Sequence, residues 1–448
     1  MSSDTQQQTN ETGSLRRVAI ASCTGTTIEF YDFFIYGTAA ALVFPTVFFP
    51  ALGAAAGSVA SFATFAVAFV ARPLGALIFG HYGDRLGRKK TLVATLLLMG
   101  LATIAIGLLP SASTIGVAAP IALIALRLLQ GLAVGGEWAG ATLLAAEYAP
   151  PKQRGLYGIF PQLGPAIAFV MSSGTFLLVN SVVGETSDAF LSWGWRVPFL
   201  ASALLVLVGL YVRVKVEETP VFKRQHESQA KSSGSKVTEV FWKQPRELFL
   251  AAGALAMMFA FFYIGTAYFT SYATKEMGLS RAASLSLGIP AAVVFGLAIA
   301  LSGIYSDRFG RRRLLIWSCI ASIPWSFVVF PILDTNTNLA FFIGLTGTLG
   351  IMGVSYGPVG SLLPEMFATR YRYTGAGMAY ALAAVIGGGT APIIASKLAS
   401  GYGSSAIGWM LAGFGLLSLL CSLAMPETKQ RSMESENNPK EETASELT

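Results

Sequence analysis

Gly80 to Lys90 reads GHYGDRLGRKK, and Gly303 to Arg313 reads GIYSDRFGRRR. One pattern, G-x-x-x-D-R-x-G-R with basic residues after it, stands twice, between apolar segments in both places. Charges this dense are too costly for hydrocarbon, so each copy marks a short turn at a membrane face. The repetition makes the chain two related helical bundles. Two weaker echoes run in the same order. Glu147 precedes Arg154-Gly155 as Glu365 precedes Arg372 and Thr374-Gly375, and Glu218-Thr219 is matched by Glu427-Thr428.

Outward from these turns, apolar runs of about 20 residues recur, each long enough to cross a ~30 Å hydrocarbon core as a helix. Hydrophobic residues make up 53% of the chain and charged residues 12%, about half the ~25% usual in soluble domains. A soluble protein cannot cover itself with so few charges. The chain therefore reads as an all-α membrane protein with twelve transmembrane helices in two six-helix bundles related by a pseudo-two-fold. Spans start near Val18, Ser58, Thr91, Ile115, Leu156 and Trp195, then near Arg246, Ala282, Leu314, Asn338, Tyr373 and Ser404. Residues 1–17 form an N-terminal tail, 18–214 the first bundle, 215–245 a polar central loop, 246–425 the second bundle and 426–448 a C-terminal tail. The composition of that last tail favours disorder. Glu29 and Asp32 in the first span argue against a cleaved secretory signal.

The net charge is +7, from 31 Lys and Arg against 24 Asp and Glu. Most of the cations fall on one side: Arg16-Arg17, the two repeated turns, Lys152, Arg154, the central loop, Arg370, Arg372 and the C-terminal tail. Arg196, Lys275, Arg281 and Lys397 fall on the other. By the positive-inside rule both termini are cytoplasmic, and the basic balance is a topology signal, not a nucleic-acid footprint. Cys23, Cys319, Cys421, His81 and His226 have no metal or redox spacing. No phosphate-binding G-x-x-x-x-G-K-[ST] occurs either. No metal or cofactor is expected, so any energy comes from an ion gradient or from the solute's own.

These residues resemble the major facilitator superfamily, whose loop between spans two and three carries the repeated pattern. The matching residues are Gly80, Asp84, Arg85, Gly87 and Arg88, with Gly303, Asp307, Arg308, Gly310 and Arg311 as the second copy. Arg127-Leu128-Leu129-Gln130-Gly131, continuing to Gly135, looks like the superfamily's span-four motif. Several segments are similar to the metabolite:proton symporters, carriers of 2-oxoglutarate, shikimate, citrate, proline and betaine. They are Ile28 to Phe33 (IEFYDF), Arg72 to Gly75 (RPLG), Gly135 to Glu137 (GGE), Trp193 to Phe199 (WGWRVPF) and Glu218 to Phe222 (ETPVF). The resemblance covers essentially Val18 to Met425. It implies a monomeric, non-enzymatic carrier in the bacterial cytoplasmic (inner) membrane. Such a carrier binds its solute between the halves and works by alternating access.

Chemistry assigns the roles. A charge at a helix centre costs about 2.5–3.5 kcal/mol on insertion scales, so Glu29, Asp32, Arg72, Arg127 and Glu137 should face the bundle interior. At about 1.5 Å per residue, Glu29, Asp32 and Arg127 fall at similar depth, Arg72 slightly deeper and Glu137 deeper still. A carboxylate beside an arginine in a partly dry cavity suits proton coupling, which points first to Asp32, then Glu29. Glu137 is either a relay or a partner for a neighbouring helix. Arg72 and Arg127 offer planar donor forks to a carboxylate, favouring an organic acid or a zwitterion. Gln162, Tyr263, Tyr268 and Tyr356, with Tyr272, are the polar candidates to shape the pocket. The competing readings are buried ion pairs that hold spans together, and tyrosines that only pack.

The repeated turns, with Glu147, Arg154, Glu365 and Arg372, form a candidate conformational lock at the cytoplasmic face. Lys89, Lys90, Arg312 and Arg313 read as topology determinants. The expected activity is proton-coupled uptake. A proton-driven exporter or a sugar carrier is the alternative within transport, and a carrier-fold membrane sensor the alternative outside it.

Overall fold

The computed structural model describes residues 3–86, 88–184, 187–214, 239–368, 371–429 and 431; at 3–14, 16, 17, 54, 55, 58, 83–86, 88 and 400 only the backbone is described. The first half contains α1 Ser3–Leu42, α2 Gly53–Leu86, α3 Arg88–Leu108, α4 Ala118–Tyr148, α5 Arg154–Val183 and α6 Arg196–Val214. The second contains α7 Pro245–Lys275, α8 Arg281–Phe309, α9 Arg311–Leu333, α10 Asn338–Met366, α11 Arg372–Ala399 and α12 Ser405–Ala424.

Helices α2 to α12, eleven among the described residues, are long and apolar enough to cross a bilayer. The twelfth span expected from the sequence is α1. Ser22, Thr24, Thr26, Thr27, Glu29 and Asp32 dilute its apolar run, yet α1 packs against α4, α5 and α6 as a full member of the first half.

Helix pairing repeats between the halves. In the first, α2 packs on α4, α1 on α5, and α3 on α4 and α6; in the second, α8 packs on α10, α7 on α11, and α9 on α10 and α12. Each pair is the other moved on by six helices. The seam obeys the same exchange, because α5 meets α8 where α2 meets α11. This is the pseudo-two-fold architecture.

Small residues set the closest approaches. Gly131 and Gly135 lay α4 on the backbone of α2, where a Cβ at either would run into Ala68 or Arg72. Helix α8 ends at Gly310 with φ 97°, the left-handed region that glycine adopts without penalty. Both α7 and α11 widen by a local π turn, at Ile264–Tyr268 and Ala384–Gly389.

The tails differ from the sequence reading. The N-terminal segment is helical from Ser3 onward. The start of the C-terminal tail is packed: Glu427 accepts the backbone N–H of Arg311 at 2.9 Å and of Arg312 at 3.2 Å. Thr428 donates to Glu365 at 2.8 Å. Capping the start of α9 explains this order, since a carboxylate suits the unpaired N–H groups of a helix N-terminus. Most of the central loop, 215–238 with Glu218 and Thr219, and 432–448 of the tail lie outside the described residues.

Candidate functional site

Four charges meet inside the first half. Glu29 and Asp32 on α1, Arg72 on α2 and Arg127 on α4 are each only 2% exposed. With Phe33 and Gln130 they line a small cavity. The arginines lie on aromatic faces: the Arg127 guanidinium is 3.6 Å from the Tyr36 ring centre, and that of Arg72 is 4.5 Å from the Phe69 ring. Cation–π contacts of this kind offset part of the cost of burying a guanidinium.

Asp32 does not pair directly with Arg127. Its Oδ2 accepts from the Thr103 hydroxyl at 2.6 Å, and Thr103 accepts from the Gln130 amide at 2.6 Å. Gln130 Oε1 in turn accepts from Arg127 at 2.9 Å. Among the described residues, no protein group hydrogen-bonds either Glu29 oxygen, Asp32 Oδ1, Nε and Nη1 of Arg72, Nε and Nη2 of Arg127, or the Tyr263 hydroxyl. Unsatisfied charge at this burial destabilises a fold.

A second small cavity lies between the halves toward the face away from the basic turns. Phe34, Thr38 and Phe169 of the first half face Thr266 and Thr270 of α7 across it. Phe33 lines both cavities. An aromatic layer that includes Phe33 therefore stands between the charges and the cavity at the seam. The layer reaches the second half through Tyr263, whose ring is 4.9 Å from Phe69 and 5.0 Å from Phe33.

On the basic face the seam is shut. Asp307 of α8 accepts the N–H of Gly155 at 2.9 Å and of Leu156 at 3.0 Å, so one half caps the first turn of a helix in the other. Arg311 holds Asp307 at 2.9 Å and Glu365 at 3.3 Å. Arg154 lies 4.0 Å from Glu365 and donates to the Arg431 carbonyl at 2.8 Å. Gly303 packs on Ile159 and Gly155, and Gly80 packs on Thr374 of α11. Arg308 lends its carbonyl to Lys429, and Arg372 donates to the Phe367 carbonyl. Glu147 is near the end of α4. In the first copy of the motif, Gly87 lies outside the described residues, as do the side chains of Asp84, Arg85 and Arg88.

A belt of polar and aromatic contacts lies above this closed face. Gln162 donates to the Tyr356 carbonyl at 2.9 Å and accepts from Trp138 at 3.1 Å. Trp138 stacks on Tyr380 at 3.8 Å, and the hydroxyls of Tyr356 and Tyr380 share a hydrogen bond of 3.0 Å. Tyr373 donates to the Gly136 carbonyl at 2.5 Å. Gln162 and Tyr356 thus join the halves in this closed state. Tyr268 stands apart in the wide turn of α7, its ring 6.1 Å from Tyr272.

Glu137 faces Arg213 of α6. The two form a buried ion pair, with Thr95 donating to Glu137 at 2.9 Å and Arg213 also bonding the Leu92 carbonyl. The sequence reading did not single out Arg213, in the last turn of α6, although a buried Glu137 needs such a partner. Breaking one side of a buried pair costs about 3–5 kcal/mol. Glu137→Ala should therefore lower the thermal unfolding midpoint of the purified protein, and Glu137→Leu with Arg213→Leu should restore most of it. Thr103 was missed because a lone threonine in an apolar span carries no signal. Gln130 was visible only within its motif.

Two pseudo-symmetric bundles of membrane-spanning helices, with charges buried inside the first, define the fold of a membrane carrier. The chain belongs to the Major Facilitator Superfamily, whose family model matches residues 23–388. Within it the chain falls in the metabolite:proton symporter branch. It is 43% identical over 435 residues to the inner membrane metabolite transport protein YhjE of Escherichia coli K12, covering 96% of this chain and 98% of that one. Identity to the Escherichia coli K12 shikimate transporter is 40%, over 93% and 95% of the two chains. To the proline/betaine transporter of Salmonella typhimurium LT2 it is 34%, over 94% and 85%. The fold matches the proton:xylose symporter XylE with a TM-score of 0.72 at 19% identity, over 95% of this chain and 98% of that one. The protein is a multi-pass membrane metabolite transporter, not an enzyme.

Proposed function

We propose that this transporter imports a small organic acid or zwitterion across the bacterial cytoplasmic membrane, driven by protons moving in. Its two halves, 18–214 and 246–425, alternate as a monomer in the bilayer, with both termini and the basic face in the cytoplasm. One observation carries the proposal: two carboxylates and two guanidiniums, buried together, keep polar atoms that no protein group satisfies among the described residues. Asp32 and Glu29 are the proton carriers. Arg72 and Arg127, with Tyr263, present the donors for a carboxylate once Phe33 yields access from the chamber. Relatives named for shikimate and for proline and betaine support an acid or zwitterion over a neutral sugar.

The test is uptake into proteoliposomes with an imposed inward proton gradient, over a panel of shikimate, 2-oxoglutarate, proline, glycine betaine and xylose. Accumulation of a carboxylate or zwitterion that a protonophore abolishes is expected. Accumulation that survives the protonophore, or of xylose alone, would overturn it. Replacing Arg127 by Lys removes the fork while keeping the charge. One lost charge-assisted hydrogen bond is worth about 1.5–3 kcal/mol, so the apparent KM should rise about 10- to 150-fold, read from initial rates.

A further inference from the structure

The Thr103 hydroxyl touches three groups at once. It lies 2.6 Å from Asp32 Oδ2, 3.0 Å from the Met99 carbonyl and 2.6 Å from the Gln130 amide nitrogen. A threonine hydroxyl has one proton and two lone pairs. Gln130 donates to one lone pair, and its orientation is fixed because its Oε1 accepts from Arg127. The single proton has two acceptors within reach, Asp32 and Met99. It can serve only one.

We propose that Thr103 is a positioning residue for proton coupling, a two-way hydroxyl that keeps Asp32 Oδ2 hydrogen-bonded in both of its protonation states. With Asp32 ionised, Thr103 donates to Oδ2. When Asp32 takes a proton from the aqueous side, the new Asp32 O–H donates to the second Thr103 lone pair. The Thr103 proton then turns to the Met99 carbonyl. No bond to carbon changes. One proton enters with the carboxylate and leaves from it, and the contact between Asp32 Oδ2 and Thr103 stays hydrogen-bonded before and after. The Gln130 amide is held by Arg127, so the exchange is also felt by a guanidinium that faces the solute. Glu29 on α1, Arg72 on α2, and Arg127 and Glu137 on α4 are the charged groups around Asp32. None of them hydrogen-bonds the carboxylate directly. Thr103 is the contact through which its charge is read.

This role rests on the proton-coupled reading above, and the test separates the two. Thr103→Val keeps the shape and removes the hydroxyl; Thr103→Ser keeps the hydroxyl. Both are reconstituted beside the wild type, their folding checked by thermal unfolding. Gradient-driven accumulation and gradient-free exchange are measured with whichever panel solute the wild type carries. Expected is a loss of about tenfold or more in accumulation rate for Thr103→Val, exchange within about twofold of wild type, and recovery in Thr103→Ser. Wild-type accumulation by Thr103→Val would overturn the role. So would loss of exchange along with accumulation, or failure of Thr103→Ser to recover, since either indicates packing alone. A wild type whose accumulation ignores the proton gradient removes the coupled function, and this role with it.

Discussion

Asp32→Asn is expected to reduce accumulation to simple equilibration while solute exchange continues. The amide is close in shape to a protonated carboxyl, so the contact with Thr103 persists, but an amide cannot lose or gain the proton. A carrier frozen in one protonation state still moves solute both ways between equal compartments. What it loses is the link between the gradient and the direction of net flux. Measured in the same vesicles, the ratio of inside to outside solute should stay at the passive level with or without an imposed gradient. Concentration of solute by Asp32→Asn at the wild-type level would remove Asp32 from coupling and leave Glu29 to carry it.

The second large effect is steric. Gly158 of α5 and Gly360 of α10 meet across the closed seam, and a Cβ on Gly360 would enter the Gly158 carbonyl. Overpacking costs about 1–3 kcal/mol where side chains can move aside. Here the atom met is backbone, so the high end applies, and about 3 kcal/mol lowers the closed state roughly 150-fold. Gly360→Val should therefore fold, fail to seal the basic face and lose transport by about two orders of magnitude. The readout is maleimide labelling of Ser361→Cys, a buried seam position, in a background free of Cys23, Cys319 and Cys421. Labelling should rise in Gly360→Val. Unchanged labelling and unchanged transport would mean that the seam does not have to close this tightly.

The architecture was legible because membrane solvent leaves few options. The repeated turns implied two halves, and the helix pairings repeat as that duplication requires. Intramembrane charge is rare enough that Glu29, Asp32, Arg72 and Arg127 drew attention by residue type alone, and helical rise placed Glu29, Asp32 and Arg127 at similar depth, with Arg72 slightly deeper. How they connect was not legible. Thr103 and Gln130 are neutral, and the bonds that matter run between helices far apart in the chain. Phe33 looks like any apolar residue, so nothing in its identity reveals that it stands between the charges and the seam. Arg213, at the end of a span, reads equally well as a loop cation, and only packing shows it turned inward to Glu137. Composition made the last tail look unstructured, yet Glu427 finds a helix N-terminus to cap.

The most direct measurement is of the protons themselves. In weakly buffered vesicles without an imposed gradient, adding a transported acid or zwitterion outside should make the external medium alkaline as the solute enters. The same addition to Asp32→Asn vesicles should leave the pH still. Solute entry by the wild-type protein with no movement of protons, or an equal pH change in the variant, would contradict the assignment of coupling to the buried carboxylates of the first half.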